Sequence, residues 1–68
     1  MVERLANRLK ERRSELGLTQ AELAEKVGVT RKTVNTVENG VFTPSATLAI
    51  KLSQALEISV ERLFWIER

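Results

Sequence analysis

The chain has 68 residues, with 11 Lys and Arg against 9 Asp and Glu, and neither Cys nor His. That length holds one small domain, able to bury only about 60% of its unfolded surface, with no disulfide and no ready zinc site to reinforce it. A net charge of +2 is too small to argue for nucleic acid by itself, so the distribution of charge has to carry that question.

The first expected element is a helix over residues 3–16, with Val2, Leu5, Leu9 and Leu16 on one stripe and Gly17 as its stop. Arg4, Arg8, Lys10, Arg12 and Arg13 crowd this segment, interleaved with Glu3, Glu11 and Glu15. It reads equally as an ion-paired, solvated face or as a positive flank. Arg13 falls on the apolar stripe, where a charge is expensive unless paired. Glu38 lies at the inner edge of a later helix, and a partly buried Arg13–Glu38 salt bridge is expected.

Thr19 caps the second helix, 20–27, and Glu22 three residues on completes a capping box. Its inward face is Leu23, Ala24 and Val27, and Ala24 is small enough to let a neighbouring helix cross closely. Gly28 marks a sharp turn that favours positive φ. Thr30 caps the third helix, 31–38, which turns Val34 and Val37 inward and opens Arg31-Lys32 with no acid before Glu38. The loop Val41-Phe42-Thr43-Pro44 follows. Ser45 caps a fourth helix, 46–56, with Leu48, Ala49, Leu52, Ala55 and Leu56 inward, and Ser59 caps a fifth, 60–66. No strand pattern, repeat, linker or low-complexity tract is evident, so the expected fold class is all-α, a compact five-helix single domain over residues 1–68.

The third helix carries the chemistry. It points Lys32, Thr36 and Asn39 outward, with Arg31 and Asn35 on one flank and Thr33 on the other. Arg and Lys donate to guanine O6 and N7, Asn bonds adenine N6 and N7, and Thr methyls touch the thymine methyl. The bland alternative is the polar face of an ordinary small bundle. The cap, glycine turn and paired valines at these intervals favour a helix that reads a DNA groove. Gln20, in the first turn of the second helix, is placed to hold a phosphate together with the helix N-terminal N–H groups.

The segment Leu16-Gly-Leu-Thr-Gln-Ala-Glu-Leu-Ala-Glu-Lys-Val-Gly-Val-Thr-Arg-Lys-Thr-Val34, running on to Val37-Glu-Asn-Gly40 and Pro44-Ser45, resembles the Cro/C1-type (xenobiotic-response-element) helix-turn-helix family. The resemblance covers about residues 5–64. It implies a lambda-repressor-like five-helix domain, the second and third helices forming the helix-turn-helix, that binds a double-stranded DNA operator, usually as a homodimer. Carried over by position, it implies that Gln20 holds a phosphate, that Thr30, Arg31, Lys32, Thr33, Asn35 and Thr36 contact bases and backbone, and that Asn39 contacts a further phosphate. It also implies the buried Arg13–Glu38 pair. The brevity and the Leu-Phe-Trp ending look most like stand-alone minimal regulators, including cytolysin-operon repressors. Two departures stand out: Glu57 where many relatives have Gly, and a loop at Val41-Phe42-Thr43 without the Lys or Arg that relatives often place there.

Leu63, Phe64, Trp65 and Ile66 are consecutive, and on a helix four neighbours face every direction. With Ile58 and Val60 upstream, the segment from about 58 to 68 has more apolar surface than one small core can cover, which marks a dimer interface. The competing reading folds Trp65 and Ile66 back over the core as a terminal strand or coil. An enzyme is not expected, since there is no His, Cys or Tyr and the acids are scattered over helix surfaces. No cofactor, metal or small-molecule ligand is expected. No run approaches the roughly 20 apolar residues of a membrane span and no signal-peptide pattern opens the chain, so a cytoplasmic protein is expected. The expected function is a sequence-specific transcriptional regulator, a repressor by preference. The rival is a protein-binding adaptor on the same fold, an antitoxin or a transcriptional co-activator.

Overall fold

The computed structural model describes residues 2–68. Its elements in chain order are β1 (Arg4–Asn7), α1 (Leu9–Glu15), α2 (Gln20–Val27), α3 (Arg31–Glu38), α4 (Ala46–Ala55), α5 (Val60–Leu63) and β2 (Phe64–Glu67). Every helix and the start of β2 contribute to one core of Leu9, Leu23, Ala24, Val27, Val34, Val37, Leu52, Leu56, Leu63 and Phe64. The inward faces expected of α2 and α3 are the buried ones.

Helix boundaries follow local chemistry. Thr19 and Glu22 form the capping box in full, the Thr19 hydroxyl accepting from the Glu22 N–H and the Glu22 carboxylate from the Thr19 N–H. Thr30 and Ser45 cap α3 and α4 through their side chains, at 3.2 and 3.1 Å. Ser59 stands at the cap of α5 without making that bond. Gly28 closes α2 at φ +76, where a Cβ would be strained. Its N–H donates to Glu25 C=O and that of Val29 to Ala24 C=O, the paired closure of a Schellman end. Glu57 closes α4 by the same pattern, its N–H on Gln54 C=O and that of Ile58 on Ser53 C=O, but at φ +55 with a full side chain.

Both ends of the chain depart from the all-α expectation. Residues 4–7 and 64–67 pair as a two-stranded antiparallel sheet, with Arg4 opposite Glu67, Leu5 opposite Ile66, Ala6 opposite Trp65 and Asn7 opposite Phe64. The first helix therefore starts at Leu9 rather than residue 3, and α5 stops at Leu63 rather than residue 66. Asn7 makes the corner, its Oδ1 accepting from Leu9 N–H and its Nδ2 donating to Val37 C=O, both at 3.0 Å. The expected stripe dissolves with the helix, since Val2 and Leu16 are exposed. Its cations are largely spent on structure. Arg4 bonds Glu67, and Arg12 donates to Leu56 C=O at the end of α4 and pairs with Glu15.

The strand also corrects the expected dimer interface. Leu63 and Phe64 lie in the monomer core and have no side chain left to offer a partner, and Ile58 packs half-buried against it. Trp65 and Ile66 remain 37% and 54% exposed. The segment folds back as a strand, as the competing reading expected of Trp65 and Ile66, but it is Leu63 and Phe64 that cover the core.

Candidate nucleic-acid interface

Helices α2 and α3 meet at the Gly28 turn, and the side chains on one side of the pair come from the start of α2 and the length of α3. Arg31 and Lys32 occupy the first turn of α3. Both are exposed, and among the described residues neither has a salt-bridge partner. Asn35, also exposed, follows one turn later. These three present free polar groups to solvent.

The remaining expected contact residues are also brought here, with their hydroxyls and amides already engaged. The Thr30 and Thr33 hydroxyls bond each other at 3.1 Å while Thr30 caps the helix. Thr36 Oγ1 donates to Thr33 C=O, and Asn39 Nδ2 to Asn35 C=O, each at 2.9 Å. Thr33 and Thr36 keep their methyl groups, and Asn39 keeps its carbonyl oxygen, as the groups open to a ligand.

Beneath this face lies the expected ion pair. Arg13 Nε donates to Glu38 Oε2 at 2.6 Å and Nη2 to Oε1 at 3.3 Å, while Nη1 donates to Leu18 C=O at 2.8 Å. The two side chains are only 12% and 3% exposed, so the pair is buried and bidentate. It ties α1 to the last residue of α3. Gln20 joins it, donating from Nε2 to Glu38 Oε1 at 3.1 Å.

Two supports were not expected from sequence. Asn7 fixes the C-terminal end of α3 to the sheet through Val37 C=O. Its signal was present, since Asn is a favoured helix-start residue, but the Leu5–Leu9 spacing concealed it. Arg8 lies over the Trp65 ring, 5.1 Å from its centroid, an arrangement that depends on the strand and has no local signal.

The helix-turn-helix family profile matches residues 9–63, the span from the start of α1 to the end of α5. The chain belongs to the Cro/C1-type helix-turn-helix family. It is accordingly a transcriptional regulator with a DNA-binding helix-turn-helix domain. Among Cro/C1-type relatives it is similar to an uncharacterised HTH-type transcriptional regulator of Bacillus subtilis, YgzD, at 43% identity over 63 residues, covering 93% of this chain and 96% of YgzD. Its backbone resembles the P22 c2 repressor protein solved in complex with a synthetic operator, with a TM-score of 0.77 at 31% identity, over 79% of this chain and 82% of that one. It is also 41% identical over 56 residues to the antitoxin HipB of Escherichia coli O6:H1, covering 82% of this chain but 60% of HipB. No helix among the described residues is long and apolar enough to cross a membrane.

Proposed function

We propose that this chain reads a specific double-stranded DNA operator by laying α3 in the major groove, and that it acts as a repressor in the form of a cytoplasmic homodimer. The observation that carries the reading is the pair of exposed cations, Arg31 and Lys32, without an ion-pair partner among the described residues, at the start of a helix whose other end is clamped by Asn7 and by the Arg13–Glu38 pair. A rigid helix with free donors at its tip suits direct base readout, in which Arg or Lys donates to guanine and Asn35 to adenine. Gln20 and Asn39 suit phosphate contacts that set register, and Thr30 joins Thr33 and Thr36 in contacting bases and backbone. Likeness to an operator-bound repressor supports the same reading. The dimer is proposed through Trp65 and Ile66, within the segment of residues 58–68, which would space two reading helices by about 34–36 Å, one turn of DNA. Selection of bound sequences from a random duplex pool is the test, since it asks about specificity and two-fold symmetry together. A near-palindromic consensus is expected, and recovery of no consensus would overturn the reading.

Likeness to an antitoxin gives the adaptor alternative a specific observation in its favour. On that reading the chain alone would bind DNA weakly and without preference, and a protein partner would be required for function. The same selection separates the two.

A further inference from the structure

We infer that Glu38 is a positioning residue for DNA binding: it fixes the Gln20 amide so that the start of α2 offers a pre-aimed N–H to a phosphate. A glutamine amide has two ends of nearly equal shape, and its orientation is decided by its neighbours. An ionised carboxylate only accepts, so only the NH2 end of Gln20 can face it. Glu38 Oε1 takes one of the two Nε2 hydrogens at 3.1 Å, which leaves the second hydrogen free and directs the carbonyl end away. The carboxylate is itself held by Arg13 from a second side, at 2.6 and 3.3 Å. It cannot swing off to release the amide.

Arg13 answers the objection that an acid near a phosphate should repel it. The Glu38 charge is matched by a guanidinium at hydrogen-bond distance, and the pair presents little net field to the start of α2. Three of the five N–H groups of Arg13 are committed to Glu38 and Leu18, and a direct phosphate contact by the remaining two would show in the salt dependence of binding. The ion pair and the phosphate contact are thereby one unit. The core clamp that sets α3 against α1 also aims a donor on α2.

The inference rests on the reading of Gln20 as a phosphate ligand, and a cycle of variants tests the two separately. Affinity for specific and random duplexes is measured for the parent, for Gln20→Ala, for the paired apolar change Arg13→Met/Glu38→Leu, and for all three together. Both partners are removed at once because losing one strands a buried charge. In the parent, Gln20→Ala is expected to weaken all duplexes alike, by about tenfold for a bond to a charged acceptor. In the apolar-pair background the same change is expected to cost less than about twofold, since the amide is no longer aimed. The slope of affinity against salt is expected to stay unchanged throughout, because neither Gln20 nor the neutralised pair displaces a counterion.

An equal loss from Gln20→Ala in both backgrounds would overturn the positioning role while leaving Gln20 as a phosphate ligand. No loss in the parent would overturn both. A salt slope lowered by about one in the apolar pair would assign the effect to Arg13 and overturn the inference. If the apolar pair fails to fold, the side-chain amide resonances of Gln20 in the unaltered chain serve instead. One proton is expected downfield and protected from exchange, and the other is expected to shift on adding operator duplex. Two equivalent, freely exchanging protons would overturn it.

Discussion

Arg31 and Lys32 sit one and two places beyond the Thr30 cap, so the bond that starts α3 also sets their direction. Replacing either with Ala is expected to cost about 1–3 kcal/mol of affinity and to relax preference at one or two positions per half-site. Competition with single-base operator variants reads this directly, and equal losses on random DNA would reassign them to phosphate. Glu57 tells a different story at the same scale. A side chain at φ +55 costs about 1–2 kcal/mol relative to an unstrained backbone, and Gly would recover this less about 0.5–1 kcal/mol of chain entropy. Glu57→Gly is therefore expected to stabilise the fold by up to about 1.5 kcal/mol, a rise of several degrees in Tm. Its carbonyl contact with Arg12 is on the backbone and survives the change. A lower melting midpoint would mean that the exposed side chain contributes something its position does not reveal.

Elements whose signals lie within a few residues of each other are legible in the sequence itself. The α2–turn–α3 unit is one such case, with Thr19, Glu22, Gly28 and Thr30 all local to the boundaries they set. The sheet is the opposite case, because the partner of Leu5 is Ile66, far along the chain. Leu5 and Leu9 stand four apart, a spacing that suits a helix as well as a strand followed by one, and only pairing decides. The candidate site divides the same way. A helical wheel puts Arg31, Lys32 and Asn35 outside, but nothing local says that Thr36 turns its hydroxyl onto Thr33 C=O or that Gln20 meets Glu38 across the helix pair.

The capping box also makes α2 sensitive to acid. The Glu22 carboxyl titrates below its ordinary value, chiefly because it accepts the Thr19 backbone N–H, then through the Thr19 side-chain bond, with Lys26 adding a smaller pull. A depressed folded pKa means that the folded state holds its proton less tightly than the unfolded chain. The contribution is present in full above the unfolded value and is lost as pH falls through the folded one. Exchange of the first-turn amides of α2 is expected to accelerate over that acidic window, and Thr19→Ala is expected to move the Glu22 carboxyl only part of the way back toward an ordinary titration, since the backbone N–H that it accepts remains. An unchanged Glu22 titration in Thr19→Ala would leave the backbone N–H as the whole cause, and an ordinary Glu22 titration in the parent would remove the box from the account.

At the scale of the whole molecule, the sheet sets Trp65 and Ile66 on the outside while Leu63 and Phe64 fill the core beneath them. If copies associate as proposed, these two residues are where the contact can be altered with the least loss of core packing. Ile66→Lys, or Trp65→Ala together with loss of its stacking on Arg8, is expected to shift the chain toward monomer in sedimentation. Tm is expected to become lower and less dependent on concentration, and operator affinity to fall although α3 is untouched. A parent that sediments as a monomer at high micromolar concentration, and binds single half-sites as well as paired ones, would defeat the dimer.

The antiparallel pairing of β1 with β2 has a consequence for how the protein comes into being. During synthesis the N-terminal residues emerge first, so β1 leaves the ribosome long before the strand that completes it. The helix-turn-helix, built from contacts close in sequence, can close while the chain is still growing. The sheet joins the two most distant parts of the fold and is the kind of contact that forms slowly. Asn7 sits at the joint between the two and can tie the sheet to α3 only once β1 is in place. The order of contacts thus lets α2 and α3 pack before the sheet that sets Trp65 and Ile66 on the outside.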